Sequence, residues 1–444
     1  MQKPIPMSKN LLRTALFGLM VALAMIGCKK EESTVSSFEI KGSKSYFFEP
    51  DETIKVYYSQ KRIAKIDVSS IPEGWDYSVQ SGYIAIHAPA HQGEQSGTIE
   101  IKAISMADAI IKRTIEVSIV EAYDLSAKGR ANCYITPSSG RFVIDGSMVD
   151  GIGAIEFSEA KLLWSAPADV VSSVQSRDGK ISFSTSGEGN AVVAATDSKG
   201  NILWSWHIWV ADFDAETSAQ PYADGSLVMS RNLGAWADSN DTEQTSWGSC
   251  GTYYQWGRKD PFVGSKAYNS TVNQSMYNAD GGWVGITTRA TSASIGTISF
   301  AIQNPTTFIC GTEKTAYDWL FAERDNALWS STTKSAYDPC PAGWRVSPSA
   351  TLNFATEQTV DGYLRGWEFD INLDTYALYT AAGRRSFIDG AFTNVDATGY
   401  LPVGFYWSAD TEGSSAKAME FSPTEIGTSA IYRANACPVR CIKE

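Results

Sequence analysis

A two-residue hydrophobic alternation runs through the first half of this chain and limits the fold more than any other feature. Ile99, Ile101 and Ala103 share one face of a stretch whose other face carries Thr98, Glu100 and Lys102. Ile54, Val56 and Tyr58 repeat the pattern, as do Ile115, Val117 and Ile119. Successive side chains of a strand point to opposite sides, so such alternation builds sheets with one buried face. Pro72-Glu73-Gly74, Ser81-Gly82 and Gln92-Gly93 supply turns between the runs. About seven short strands are expected over residues 38–121, the count of an immunoglobulin-like β-sandwich.

A second β-sandwich is expected over 122–215. Arg141–Ile144, Lys161–Trp164, Ile181–Phe183 and Ala191–Ala195 read as strands, and Asp197-Ser198-Lys199-Gly200-Asn201 reads as a hairpin turn. The turn leads into ILWSWHIWV, where Trp204, Trp206, Ile208 and Val210 face one way and Ser205, His207 and Trp209 the other. A strand so aromatic on both faces belongs at the centre of its sandwich or against a neighbouring domain. The acidic, Ser/Thr-rich run 212–219 ends the unit, and no internal repeat relates it to the first.

The N-terminus carries Lys3, Lys9 and Arg13 ahead of an apolar run, Thr14–Gly27. That run is too short to cross a hydrocarbon layer of about 30 Å and reads as the core of a signal peptide over residues 1–27. It ends in AMIGC, which resembles a bacterial lipobox and makes Cys28 the expected lipidated residue, with 28–37 as a polar tether. The KKEE that follows resembles the acidic signal of Bacteroidetes lipoproteins placed on the outer face of the outer membrane. The whole chain has a net charge of −12, and loss of the first 27 residues removes three cations and no acid, leaving −15. With no basic cluster, a nucleic-acid partner is excluded.

Two segments near the end are expected to organise the last domain, 216–444. In YDPCPAGWRV (337–346) two prolines and a glycine force a turn, after which Trp344 and Val346 begin a strand. In CPVRCIKE (437–444) Val439 and Ile442 flank Arg440 and Cys441 in a terminal strand. The two strands are expected to pair. Export permits disulfides. Beyond Cys28 six cysteines remain (Cys133, Cys250, Cys310, Cys340, Cys437 and Cys441), and their spacing leaves all pairings open.

From residue 226 the loops lengthen, and six blocks occur in order: LVMSRNLGA at 227–235, YYQWGRKDPF at 253–262, NPTTFI at 304–309, YDPCPAGWRV, GFYWSAD at 404–410 and PVRCIKE at 438–444. Together they resemble the Fibrobacter succinogenes major paralogous domain. The resemblance implies an irregular module, similar in fold to C-type lectin-like and sulfatase-modifying-factor domains, with α+β character. The 123–214 unit also resembles the domain that often precedes this module. The expected architecture is therefore mostly β: two immunoglobulin-like sandwiches followed by a C-type lectin-like domain. The shared VRC block implies a Cys340–Cys441 disulfide, while Cys250, Cys310 and Cys437 fall outside shared features and are candidates for an added one. The chain departs from the family at WRVSPS, where the proline is shifted by one. Ser347 or Ser349 is then expected to cap a helix over about 350–357.

Catalytic constellations are scarce. His87 and His91 have the spacing of a helical zinc pair, but Pro89 between them forbids the helix. His207 sits among tryptophans and reads as a packing residue. Enzyme relatives of the module use cysteines near the C-terminus. Here Cys437 and Cys441, four apart on a strand, stand about 13 Å from one another, and Cys441 is accounted for by the clasp. No enzyme activity is expected, and no cofactor. The run ADSNDTE (237–243) offers oxygen ligands suited to calcium but lacks the closing glycine and distal glutamate of an EF-hand. Aromatic residues dense in polar loops point instead to binding, since an exposed ring stacks on the apolar face of a sugar. The 367–410 stretch, with Trp367, Arg384, Arg385, Tyr400 and Asp410, is the expected ligand surface. The expected partners are a glycan or a surface protein, together with the outer membrane through the lipid. The alternative role is a structural subunit of a surface fibre.

Overall fold

The computed structural model describes residues 35–90, 93–267, 270–322, 324–354, 357–360, 366–373, 375–393, 403–422 and 424–444. Eight strands build the first unit: β1 (Ser37–Ile40), β2 (Ser45–Phe48), β3 (Thr53–Lys61), β4 (Ile63–Ser70), β5 (Asp76–Gln80), β6 (Tyr83–His87), β7 (Ser96–Ser105) and β8 (Ile110–Ile119). They form two four-stranded sheets, β1-β3-β6-β5 and β2-β8-β7-β4. Ile99, Ile101 and Ala103 of β7 lie fully buried between them, with Phe38, Phe48 and Trp75. Each such isoleucine contributes about 1.5–3 kcal/mol on burial. A one-residue slip would turn the whole set to solvent, so the pattern fixes the register. The first strand starts one residue inside the expected tether, and there is one strand more than expected.

The second unit contains β9 (Tyr123–Asp124), β10 (Cys133–Thr136), β11 (Ser139–Asp145), a small hairpin β12 (Met148–Val149) and β13 (Gly153–Ala154), then β14 (Glu159–Ala166), β15 (Val171–Arg177), β16 (Lys180–Ser186), β17 (Gly189–Thr196) and β18 (Ile202–Val210). One sheet runs β15-β16-β11-β9, and the facing sheet begins β10-β18-β17-β14. The β17–β18 turn forms as its residues dictate: Asp197 Oδ1 accepts from the N–H groups of Lys199 and Asn201, and Gly200 takes φ +82°. The two units are joined by a buried ion pair between Arg141 and Glu52, and by a bond from Gln175 Nε2 to the Thr53 carbonyl.

The expected boundary at 215 does not insulate the second unit from the third. The β10-β18-β17-β14 sheet continues into strands Met276–Tyr277 and Trp283–Val284, which belong to the C-terminal region. The two faces of β18 serve two cores, which explains its composition. Trp204, Trp206, Ile208 and Val210 fill the sandwich, while Trp209 joins a larger core with Trp256, Trp319, Trp329, Trp344 and Trp407. The polar residues on that second face are satisfied across the junction. Ser205 Oγ donates to Asp260 Oδ1 at 2.6 Å, and Lys259 Nζ donates to the Ser205 carbonyl at 2.9 Å.

In the C-terminal region the two cysteine-bearing segments pair as their residues lead one to expect. Strand Trp344–Val346 runs antiparallel to Cys441–Lys443, with Val346 opposite Cys441, and Leu227–Val228 covers the other edge of the terminal strand. A disulfide joins Cys340 to Cys441, the pairing that the resemblance implies. Gly234 lies at the junction with the second unit at φ +81°. A Cβ there would stand 2.6 Å from Thr252 Oγ1 and 2.9 Å from Asn190 Oδ1, so the close approach requires glycine. Helices are few and short, Glu243–Gly248 and Ile298–Gln303. The helix expected over about 350–357 is replaced by a turn at 349–352 and a strand at Glu357–Val360. Ser349 gives its N–H and hydroxyl to Asp410 and caps no helix, and Ser347 Oγ donates to the Arg440 carbonyl.

The disulfide closes a loop across 101 positions, which the loop-entropy account values at about 4–5 kcal/mol. The double variant Cys340→Ser/Cys441→Ser is therefore expected to lose stability of that order in urea unfolding followed by tryptophan fluorescence. A midpoint equal to wild type would show that the clasp contributes nothing.

Candidate functional site

Strand β10 stands at the end of its sheet. It pairs in parallel with β18 on one side, and no strand among the described residues pairs with the other. His207 N–H donates to the Asn132 carbonyl and Ala211 N–H to that of Thr136. Carbonyls at even positions thus face β18, and the alternation of a strand turns the main-chain groups of Cys133 and Ile135 outward. Apart from the β18 pairing, neither residue's main chain receives a hydrogen bond among the described residues.

This free edge runs along a groove of ≈ 680 Å³. One wall is β9, the last strand of the opposite sheet, whose Tyr123 is 54% exposed. Another is the segment leaving the sandwich, where Phe213 is held by Trp209, 4.9 Å between ring centroids, and by the Arg231 guanidinium at 4.1 Å. The third is the clasp turn, through Pro341, Ala342 and Trp344. Carboxylates mark this exit segment: Asp212, Asp214 and Glu216. Bonds from the Ser138 hydroxyl and N–H hold Asp212 below the usual carboxylate range, and the Thr217 and Glu216 N–H groups do the same for Asp214, both against a small opposing effect of burial. Glu216 accepts from Trp344 Nε1 and pairs with Lys443. A second, more polar cleft of ≈ 360 Å³ lies on the far side of residues 128–129, lined by Arg130, Asp150 and Lys334.

Among the described residues of the expected ligand surface at 367–410, the four named side chains are placed in the framework rather than on a common face. Trp367 is 1% exposed, its ring 4.9 Å from that of Phe421 in a core with Phe369 and Tyr406. Arg385 is equally buried; it donates to the carbonyls of Gly390 and Val263 and to Asn273 Oδ1, and lies over the Phe392 ring. Arg384 is half-buried, with its guanidinium 4.2 Å from the Phe405 ring centroid. Burial pushes the Asp410 carboxyl up, but the two bonds from Ser349, with one from Ser331 and the charge of Lys417, together leave it lowered. These residues tie loops to the framework. Tyr400 lies outside the described residues, as do Cys28, His91 and the whole of 1–34.

Other candidates are also structural. Cys250, Cys310 and Cys437 are free, buried thiols, as is Cys133, so no added disulfide forms among them. Burial raises all four, Cys250 to about 12 and Cys310 to about 11. In the acidic run, Asp238 pairs with Arg231 at 2.8 Å and Thr242 caps the Glu243–Gly248 helix. Among the described residues no group of three or more His, Cys, Asp or Glu is placed to hold a metal ion. His87 lies half-exposed beside Thr53 and Asp51. Lys259 is buried, its amine lowered by desolvation, and is bonded to Asp260 and Ser205 with its charge over the Trp204 ring. Lacking access to solvent, this Ser–Lys–Asp group joins two units rather than meeting a substrate.

The groove escaped sequence reasoning because its walls come from residues about 120–140, 211–216 and 341–344. One local signal was present: in NCYITP, a four-residue run stopped by Pro137 reads as a short edge strand.

No family model matches the chain, and no curated protein does. Among solved structures, a tandem pair of titin immunoglobulin domains is 9% identical, with 40% of this chain and 98% of that chain covered, at a TM-score of 0.17. A Bacteroides ovatus protein from a mixed-linkage glucan utilization locus, solved with a mixed-linkage heptasaccharide, is 11% identical over 40% of this chain and 44% of its own, at 0.14. An endo-fucoidan hydrolase of glycoside hydrolase family 107 is 12% identical over 41% and 35%, at 0.19. Scores this low carry no argument about function.

His207 supplies a test of the junction beside the groove. Its Nε2 contacts Asn190 Oδ1 at 2.8 Å and its Nδ1 the Tyr254 hydroxyl at 2.9 Å, and burial lowers it to about 3. An unfolded histidine titrates near 6.5. Between about pH 6.5 and 3 the unfolded chain therefore binds a proton that the folded chain refuses, and stability falls as pH falls through that window. Urea unfolding at stepped pH is expected to show this slope in wild type and a shallower one in His207→Gln. Equal slopes would remove His207 as its source.

Proposed function

We propose that this chain is a lipid-anchored protein of the bacterial outer surface that works by binding, without catalysis. Support comes from the lipobox-like AMIGC ending at Cys28 and from the resemblance of 227–444 to the Fibrobacter succinogenes major paralogous domain, a C-type lectin-like module. The observation that carries the reading is the groove. It has a volume of ≈ 680 Å³, it is lined by Tyr123 and Phe213, and the clasp of the C-terminal module closes one side of it. The buried state of the nucleophile candidates, with Cys441 in a disulfide and Cys437 a desolvated thiol, favours binding over the oxidative chemistry of sulfatase-modifying relatives. The binding surface thus moves from the variable loops to the junction of the second sandwich with the lectin-like module. The target is a surface protein or a glycan.

The second reading, an accessory subunit of a surface fibre, draws on the sheet shared by the second and third units, on the bonds of Ser205 to Lys259 and Asp260, and on the Arg141–Glu52 ion pair between the first and second.

Two measurements test the proposal. Fractionation of cells producing Cys28→Ala is expected to release the protein from the membrane; retention overturns the lipid anchor. The purified chain without residues 1–27 is expected to bind a member of a glycan array or of a panel of purified outer-surface proteins, at least tenfold more weakly after Tyr123→Ala. Absence of any binding to either panel, together with stable incorporation into a polymer, would replace binding by the fibre role.

A further inference from the structure

The groove has a property that an ordinary aromatic cleft lacks: one wall is an unsatisfied sheet edge. The outward-facing N–H and C=O groups of half-buried Ile135 line it, those of Cys133 being covered by the core, and β10 has no neighbour on that side among the described residues. Main-chain donors and acceptors on an open sheet edge are left to water, and the partner that matches their spacing is another extended backbone. A glycan offers hydroxyls and ring oxygens, not the alternating N–H and C=O groups of an extended chain.

The side-chain environment narrows the occupant further. Ile135, Pro137, Phe213 and Ala342 form apolar positions beside the edge, so alternate side chains of an added strand meet apolar wall. The charges along the exit segment are acidic, Asp212, Asp214 and Glu216, against Lys128 on the opposite lip. A second copy of this chain, with a net charge of −15 once residues 1–27 are removed, would approach against like charge. We infer that the groove accepts an extended peptide from another protein, adding as a strand to the free edge of β10, with apolar residues at alternate positions and at least one Lys or Arg beside Asp212 and Asp214. The inference rests on the proposed binding function and names its partner class.

The test uses the full chain without residues 1–27, panned against a displayed library of random linear ten-residue peptides. Enriched peptides are expected to alternate apolar residues, to carry a basic flank and to weaken at high salt. Ile135→Pro removes one outward N–H while the groups bonded to β18, at neighbouring positions, are untouched; it is expected to weaken these peptides at least tenfold while keeping a cooperative melt and the wild-type far-UV spectrum. In wild type the Ile135 amide is expected to exchange with deuterium freely and to become protected when peptide binds. Should Ile135→Pro fail to fold, protection of that amide decides alone. The inference is overturned if no peptide family is enriched, if bound peptide leaves the Ile135 amide unprotected, or if Ile135→Pro binds as wild type does. A glycan that competes for the groove and binds Ile135→Pro unchanged also overturns it, yet leaves the general binding role standing. Loss of membrane attachment or of all binding would strike the proposed function instead.

Discussion

The side-chain amide of Asn132 determines where the C-terminal module sits. It accepts from Trp204 Nε1 at 3.0 Å and donates to the carbonyls of Ala336 and Asp338 at 2.9 and 2.8 Å. One buried amide thus holds the central tryptophan of the sandwich and the clasp turn to the same point. Asp338 extends the arrangement, accepting from the N–H groups of Cys340 and Val346 while pairing with Lys334. The turn is thereby fixed against the start of β10, and the groove exists because two units meet there at a set distance.

A junction built from buried polar groups depends on all of them. Asn132, Asn190, His207, Ser205, Lys259 and Asp260 are each buried and each has a partner. Such networks add modestly to net stability, because the bonds replace bonds to water, but removing one member strands the rest without solvent. An apolar seam would tolerate sliding by a residue or two; this one has a single register. The second sandwich and the C-terminal module consequently share one polar junction, and the proposed groove lies beside it.

Much of this fold was legible in the sequence, and the failures have a common physical origin. Strands β7 and β8 announced themselves because a sheet with one buried face writes its orientation into every second residue. The clasp was readable because prolines, a glycine and a cysteine constrain the backbone locally at 337–346. The double-sided character of β18 was visible in its tryptophans, and which partner lay on the second face was not. The 367–410 stretch misled for the converse reason. Aromatic and arginine side chains in polar loops look exposed in one dimension, yet Trp367 packs on Phe421 and Arg385 finds carbonyls from three separate segments. Whether a guanidinium faces solvent or caps buried carbonyls is decided by distant chain. The groove is the limiting case, since an empty space between three segments has no sequence of its own.

The terminal strand Cys441–Lys443 lies inside its sheet, between Leu227–Val228 and Trp344–Val346, rather than at an edge. Its neighbours are some two hundred and one hundred positions earlier in the chain. During synthesis the first sandwich can close as soon as its own residues emerge, and the second waits for later strands that extend its sheet. The sheet of the C-terminal module cannot close until residue 443 is available, and its long-range pairing makes that step the slow one. In the interval Val228, Trp344 and Val346 present unpaired edges to whatever is nearby. The chain therefore carries an inherent order of assembly, in which the clasp wall of the groove is the last part to be completed.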